Sequence, residues 1–369
     1  MKYQKLIERN KQAFINFFKR YWVVIVVSGV IATVVIVYFK VFYQRVPRYL
    51  KRLHPYFSDM DIHPVTGCPK LISNGYKLCD FYIASAFRCY LPCTQKYDYS
   101  SKDMIEAAMI GGARALEFDV YNENFCQDTI PVVTNGREIG NWHYTTKLTF
   151  EEACKTIAYV GYSGMLKNSS DPLFIILNMY VNDNALTMDK MAKIISHHFG
   201  EYLLDVNYSH QKTNLAMVPL AKLLNKIVII ADKPYPDSKL DEYINYTWKQ
   251  PFMRSYSHID IIDLHEPKEV TEYNKKNLTR VYPQFTTRNT QNYNPRPSWM
   301  YGCQFVSMNY SEPDENLIIY LKKFRKCSFQ LKPYKLRFHP MYYKSPKPQT
   351  KKVSFAPQQI STPYYSITY

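Results

Sequence analysis

Phe81-Tyr82-Ile83-Ala84, continuing as Ser85-Ala86-Phe87-Arg88-Cys89-Tyr90-Leu91, is a short apolar run that breaks abruptly into an aromatic, a cation and a thiol. The apolar part reads as a buried strand. Working outward from it, the same grammar repeats. Ser101 to Gly111 reads as a helix with Ser100 or Ser101 as its cap, Ala115 to Val120 as a strand and Pro131-Val132-Val133 as another. Thr149-Phe150-Glu151-Glu152 carries the cap chemistry that opens a helix. Leu173 to Leu177 is a continuous apolar strand, Met188 to Phe199 a helix, and Lys226 to Ala231 and Gln304 to Asn309 are further strands. Apolar strands alternating with helices predict a parallel α/β architecture, either a barrel or a doubly wound sheet.

The 369 residues suffice for one large domain with appendages, and their 47 basic against 31 acidic side chains leave a formal charge of +16. Such a chain seeks polyanions, meaning nucleic acid or anionic lipid. No zinc-finger spacing or RNP motif supports nucleic acid as a partner. A membrane is favoured by residues Tyr21 to Phe39, 19 positions without a charge between Arg20 and Lys40, with Tyr21, Trp22, Tyr38 and Phe39 at the ends. At ~1.5 Å per residue the run spans about 29 Å, near the bilayer's hydrocarbon thickness. Its aromatic ends suit the interfacial belts. It is too long for a signal peptide and has no small-x-small cleavage site after it. Basic residues flank it almost evenly, six in residues 1–20 and five in 40–52, so they set no orientation but favour anionic headgroups on either side.

Residues 1–20 are therefore expected to be a basic amphipathic lead-in, 21–39 a transmembrane helix and 40–78 a connector. Residues 339–369 contain prolines and lysines without acidic residues from Pro340 onward and read as a disordered basic tail. Cys68, Cys79, Cys89 and Cys93 can form two disulfides if they are lumenal. Five Asn-x-Ser/Thr sequons occur, at Asn168, Asn207, Asn245, Asn277 and Asn309. Asn309 reads as part of a core strand, where no glycan can attach, which favours a barrel facing the cytosol.

Two blocks carry a family resemblance. Tyr82 to Leu91, Ser100 to Ala108, Gly111 to Asp119 and Phe199-Gly200-Glu201-Tyr202-Leu203-Leu204 form the first. Leu278-Thr279-Arg280-Val281-Tyr282-Pro283, Asn292 to Pro295, Trp299, Gly302-Cys303-Gln304 and Leu331 to Arg337 form the second. Both resemble the catalytic barrel halves of the eukaryotic-type phosphoinositide-specific phospholipase C family. The resemblance implies a (β/α)8-type TIM barrel, with a first half at 79–205, a variable linker and strand at 206–265 and a second half at 266–338. It places chemistry at the C-terminal ends of the strands.

The resemblance breaks at the reacting groups. The family cleaves a phosphodiester with two histidines and a calcium ion. Its Ser-His-Asn reads Ala86-Phe87-Arg88 here, so Phe87 takes the first histidine position and Arg88 the first calcium-ligand position. The second histidine position holds Asn135, which is neither acid nor base near neutral pH. Of the implied calcium ligands Glu117 and Asp119 remain, and Asn178 replaces the last carboxylate with a neutral oxygen. Calcium needs six to eight oxygens, and this set is poor. Arg88 can instead pair with Glu117 or Asp119 in the metal's electrostatic place; the bland alternative is that it faces solvent. Arg280 and Tyr282 match a phosphate-binding arginine and a ring-stacking tyrosine and imply an anionic headgroup, or scaffold retention alone. Both lysines that would contact the headgroup are lost at Ile230-Ala231-Asp232, with Lys233 one step beyond.

Lys351-Lys352-Val353-Ser354-Phe355 resembles the docking motif for protein phosphatase 1, with Lys352, Val353 and Phe355 as its contacts. The expected protein is a single-pass membrane-anchored, catalytically inactive phospholipase C-like barrel that binds or scaffolds at a membrane, without a cofactor. One alternative is a divergent active phospholipase C using calcium on phosphoinositides. Another is a structural membrane protein with a partner-recruiting tail.

Overall fold

The computed structural model describes residues 2–43, 45–67, 69–92, 100–123, 129–134, 138–139, 142–143, 146–284, 291–340 and 357–368. Asn135, Cys68, Cys93, Lys352, Val353 and Phe355 lie outside the described residues. Two units separate, residues 1–338 and 339–369.

Eight strands of the first unit pair in parallel: β1 (Phe81–Ala86), β2 (Ala115–Asn122), β3 (Leu173–Tyr180), β4 (Ile227–Ala231), β5 (Ile244–Thr247), β6 (Met253–Ser257), β7 (Leu278–Tyr282) and β8 (Phe305–Met308). The ladder runs β6-β7-β8-β1-β2-β3-β4-β5, with a gap only between β5 and β6, so the barrel is nearly closed. This selects the barrel over the doubly wound sheet. The expected strand Pro131–Val133 exists but lies off the barrel, antiparallel to β2. The stretch expected as a linker with one strand supplies β4, β5 and β6.

Around the barrel, α3 (Lys102–Ile110) is capped by Ser101, whose side chain accepts from the Asp103 amide. α4 (Phe150–Tyr162) starts with a full capping box between Thr149 and Glu152. α5 (Ala185–Phe199) begins three residues earlier than expected because Asn184 caps it, accepting from the Thr187 amide. α6 (Pro267–Tyr273) and α7 (Glu315–Phe324) follow β6 and β8. Alternate residues of each strand face opposite sides. Tyr82, Ala84, Leu116, Phe118, Ile175 and Leu177 pack outward against the helices. Phe81, Ile83, Ala115, Phe174, Ile176 and Phe305 fill the lower interior. Moving up the same inward rows, the residues turn polar, and that change defines the mouth.

The N-terminal apolar segment and its lead-in form one unbroken helix, α1 (Lys2–Tyr43). Its stretch Ile7–Lys40 is long and apolar enough to cross a membrane by length and composition, and none of it is buried against the protein. The expected connector is a folded part of the barrel. In α2 (Arg45–Phe57), Leu53 and Phe57 are buried, with Val46 and Leu50 packed beside them. Ile62 and Val65 continue the contact. Gly111, just past α3, lies so close to Phe57 that a Cβ there would stand 2.8 Å from the ring.

Cys79 and Cys89 are free and buried in two separate apolar clusters, so the two-disulfide arrangement expected for a lumenal domain is not built. Burial pushes the Cys79 thiol up to about 12. Three of the sequon asparagines, Asn168, Asn245 and Asn309, are buried. The second unit, expected to be disordered throughout, carries a short hairpin of Gln359–Ser361 with Ser366–Thr368, closed by Thr362.

Phe57→Ala should lower the melting temperature of the detergent-solubilised chain, because emptying a buried phenylalanine site costs roughly 3 kcal/mol. An unchanged melting curve would mean that α2 is not integral to the barrel.

Candidate functional site

Glu117 and Asp119 stand two residues apart on β2, so both point into the barrel, near the C-terminal ends of its strands. Both are buried. Two carboxylates this close and this dry repel each other and lose their hydration, so each needs a cation or several donors. Each has both.

Glu117 is held by Arg280 from β7 in a two-pronged pair, Nε to Oε1 at 3.0 Å and Nη2 to Oε2 at 2.5 Å. The Ser307 hydroxyl on β8 also donates to Oε1. The Arg280 side chain is 4% exposed. Trp248 and Tyr282 lie over its guanidinium, with ring centroids 4.8 and 4.9 Å away, and Ser255 accepts from Nη1 at 3.4 Å. Burial alone would lower this arginine's pKa, but Glu117 and then Asp119 hold it above the ordinary value. The arginine expected to reach a headgroup phosphate is thus committed to a carboxylate of the same site, and Tyr282 covers it.

Asp119 is held by Arg88, Nε to Oδ2 at 2.6 Å. Asn178, the cross-strand neighbour of Asp119 on β3, donates from Nδ2 to Oδ1 at 2.7 Å. Of the two carboxylates allowed by the sequence, Arg88 takes Asp119, and its side chain is 23% exposed, so it does not simply face solvent. Burial pulls the Arg88 pKa down, yet the charges around it, the Asp119 carboxylate first, outweigh it and the net shift is upward. Arg88 reaches this position by an unusual backbone, φ 43°, in the left-handed region. Asparagine visits that region more readily than arginine, and asparagine is what the resemblance implies at this position. Phe87 is buried at the end of β1, its amide donating to the Met308 carbonyl at 2.8 Å and its ring 5.1 Å from the Arg88 guanidinium. A benzene ring there supplies packing and no exchangeable proton.

Lys233 pairs with Asp183 at 2.7 Å and lies 5.3 Å from the Tyr235 ring. Asp232 accepts from the Tyr235 hydroxyl at 2.6 Å, and burial raises its pKa. The residues gathered at the mouth are therefore Phe87, Arg88, Glu117, Asp119, Asn178, Arg280 and Tyr282. Ser307, Ser255 and Trp248 were missed from sequence. Ser307 had a readable signal: a serine in the inward row of an apolar strand, paired in register with Ser85.

These residues do not fit calcium. Each carboxylate already faces a guanidinium, with the Ser307 hydroxyl on Glu117 and the Asn178 NH2 on Asp119. Among the described residues no group of three or more His, Cys, Asp or Glu is arranged for a metal.

The sequence matches the profiles described as Phosphatidylinositol-specific phospholipase C, X domain, over residues 75–233 and Y domain over residues 231–335. Among relatives, the Bos taurus 1-phosphatidylinositol 4,5-bisphosphate phosphodiesterase beta-1 is 21% identical over 70% of this chain and 28% of its own length. The human protein named Inactive phospholipase C-like protein 1 is 26% identical over 38% of this chain and 13% of its own. The crystal structure of S. officinalis PLC21 superposes with a TM-score of 0.60 at 22% identity, covering 71% of this chain and 38% of that one. The chain thus spans less than a third of the phosphodiesterase it matches.

Arg88→Ala should leave Asp119 without its cation and lower stability by roughly 3 kcal/mol, the scale for breaking one side of a buried pair. Millimolar calcium should leave the melting temperature of the wild type unchanged, since a ligand stabilises only the state that binds it. A calcium-dependent rise in the wild type would overturn the closed-site account.

Proposed function

Because the chain belongs to the phosphatidylinositol-specific phospholipase C family through its X and Y domains, we propose that it is a membrane-anchored member whose barrel has lost hydrolysis and serves as a binding or scaffold protein. The observation that carries this reading is the pairing of Glu117 with Arg280 and Asp119 with Arg88. These pairs use up the carboxylates a calcium ion would need. They also use up the one arginine that the resemblance assigns to phosphate. Hydrolysis further needs a group that moves a proton, and Phe87 cannot. Asn135 has no suitable proton either. Loss of two such groups removes about 10²–10⁴-fold each.

Anchoring is supported by α1, whose run from Tyr21 to Phe39 carries no charge and is exposed. A cytosolic barrel is supported by the free buried thiols and by sequon asparagines enclosed in the core, neither of which suits a lumenal domain. Phosphoinositide headgroups remain the ligand class suggested by the family. The motif Lys352-Val353-Ser354-Phe355 makes protein phosphatase 1 a partner to test by capture with and without Val353→Ala and Phe355→Ala.

Purified full-length protein on phosphoinositide vesicles should release no inositol phosphate above background at any calcium concentration. Calcium-dependent release that Glu117→Gln abolishes would establish the active reading instead. The protein in membranes should resist alkaline carbonate extraction, and a version lacking residues 21–39 should be extracted.

A further inference from the structure

The helix that follows the apolar segment carries two faces with different work. The inner face of α2 is clamped to the barrel through Leu53 and Phe57. Arg48, Lys51 and Arg52, spaced three and four apart, share the other face and are exposed. Arg52 reaches Glu312 at 3.3 Å. No acidic residue occupies the first turn of α2.

The direction of α2 on the barrel is fixed by its contacts. Near its middle, Arg52 meets Glu312, which follows the C-terminal end of β8. Beyond its end, Asp59 pairs with Arg325 at 3.0 Å and the His63 amide donates to the Lys326 carbonyl at 2.8 Å. Both partners follow α7, at the N-terminal rim of the strands. α2 therefore runs from the C-terminal rim to the N-terminal rim, and its start, joined to α1, lies on the side of the mouth.

We propose that the basic face of α2 is a binding surface for anionic lipid headgroups, and that it holds the barrel with its mouth turned to the bilayer. The proposal rests on the reading of α1 as a membrane span. That span puts Arg48 nine residues past Phe39, the end of the uncharged run, and within a few helical turns of the interface. Each basic side chain near an anionic leaflet favours apposition roughly fivefold, so Arg48 and Lys51 together contribute roughly 25-fold. Phosphatidylserine and phosphoinositides offer the same phosphate chemistry and differ in charge density.

The test is hydrogen exchange of the full-length chain reconstituted in vesicles of phosphatidylcholine alone, with phosphatidylserine, or with a phosphoinositide. Exchange in residues 45–57 and in the mouth loop 180–184 should slow several-fold in the anionic vesicles. The loop 73–76 at the opposite rim should not change. A larger effect of phosphoinositide at equal total charge would identify a specific headgroup, and an equal effect a general anionic surface. Arg48→Glu with Lys51→Glu should abolish the slowing without altering the melting temperature, both side chains being exposed. Equal exchange in neutral and anionic vesicles, slowing that survives the double variant, or slowing at 73–76 instead would overturn the proposal. A chain that floats with none of the vesicles would overturn the anchoring reading itself.

Discussion

Two carboxylates on the inward row of one strand set the terms for the rest of the mouth. Glu117 and Asp119 cannot both stay ionised in a dry barrel unless positive charge stands against them. A metal would meet both from one point. This chain uses two planar cations from opposite ends of the sequence, and the consequence is geometric. Each guanidinium meets one carboxylate, Arg280 through a two-pronged fork and Arg88 through its Nε, so the two carboxylates are served separately. Arg280 must lean across from β7 toward Glu117, which brings it under Trp248 and Tyr282. Asn178 and Ser307 then complete the two half-sites. Neutrality is reached from side chains alone, and the mouth becomes part of the packed core.

The same constraint explains what was legible in the sequence. Barrel strands buried on both faces, such as Leu173–Tyr180 and Ile227–Ala231, read as continuous apolar runs, and the caps at Ser101 and Thr149 announced their helices. β5 and β6 did not read as strands because they flank the unpaired seam and carry polar residues. Asn245 on β5 spends its side-chain oxygen on the Ile229 amide, at a point where the β4–β5 register is irregular. The segment 40–78 looked like a linker because prolines and basic residues interrupt its apolar ones throughout. Its buried residues include Leu53, Phe57, Ile62, Val65 and Leu78, and the place of Phe57 shows only once Gly111 leaves a space for its ring.

At the site, the paired carboxylates were visible from their spacing, and Phe87 stood out as an apolar residue where the resemblance implies a histidine. The identity of Arg280's partner was not. Glu117 and Arg280 are 163 positions apart, and only barrel closure decides that their rows face each other. A resemblance transfers a role from a setting with a metal. Once the metal's place is taken by cations, an arginine that would face a phosphate has a nearer anion.

Arg88 shows how such a replacement is accommodated. Its backbone at φ 43° is inherited from a turn that suits asparagine better than arginine, a cost of about 1–2 kcal/mol. The contact with a buried aspartate offsets it, since leaving Asp119 unpaired would cost more. Phe87 contributes on the other side by placing an apolar ring beside the Arg88 guanidinium, 5.1 Å from the ring centroid. Without Arg88 the mouth would hold two carboxylates and a single cation. Arg88 and Arg280 together make the mouth a salt-bridged one without disturbing the strand that carries its carboxylates.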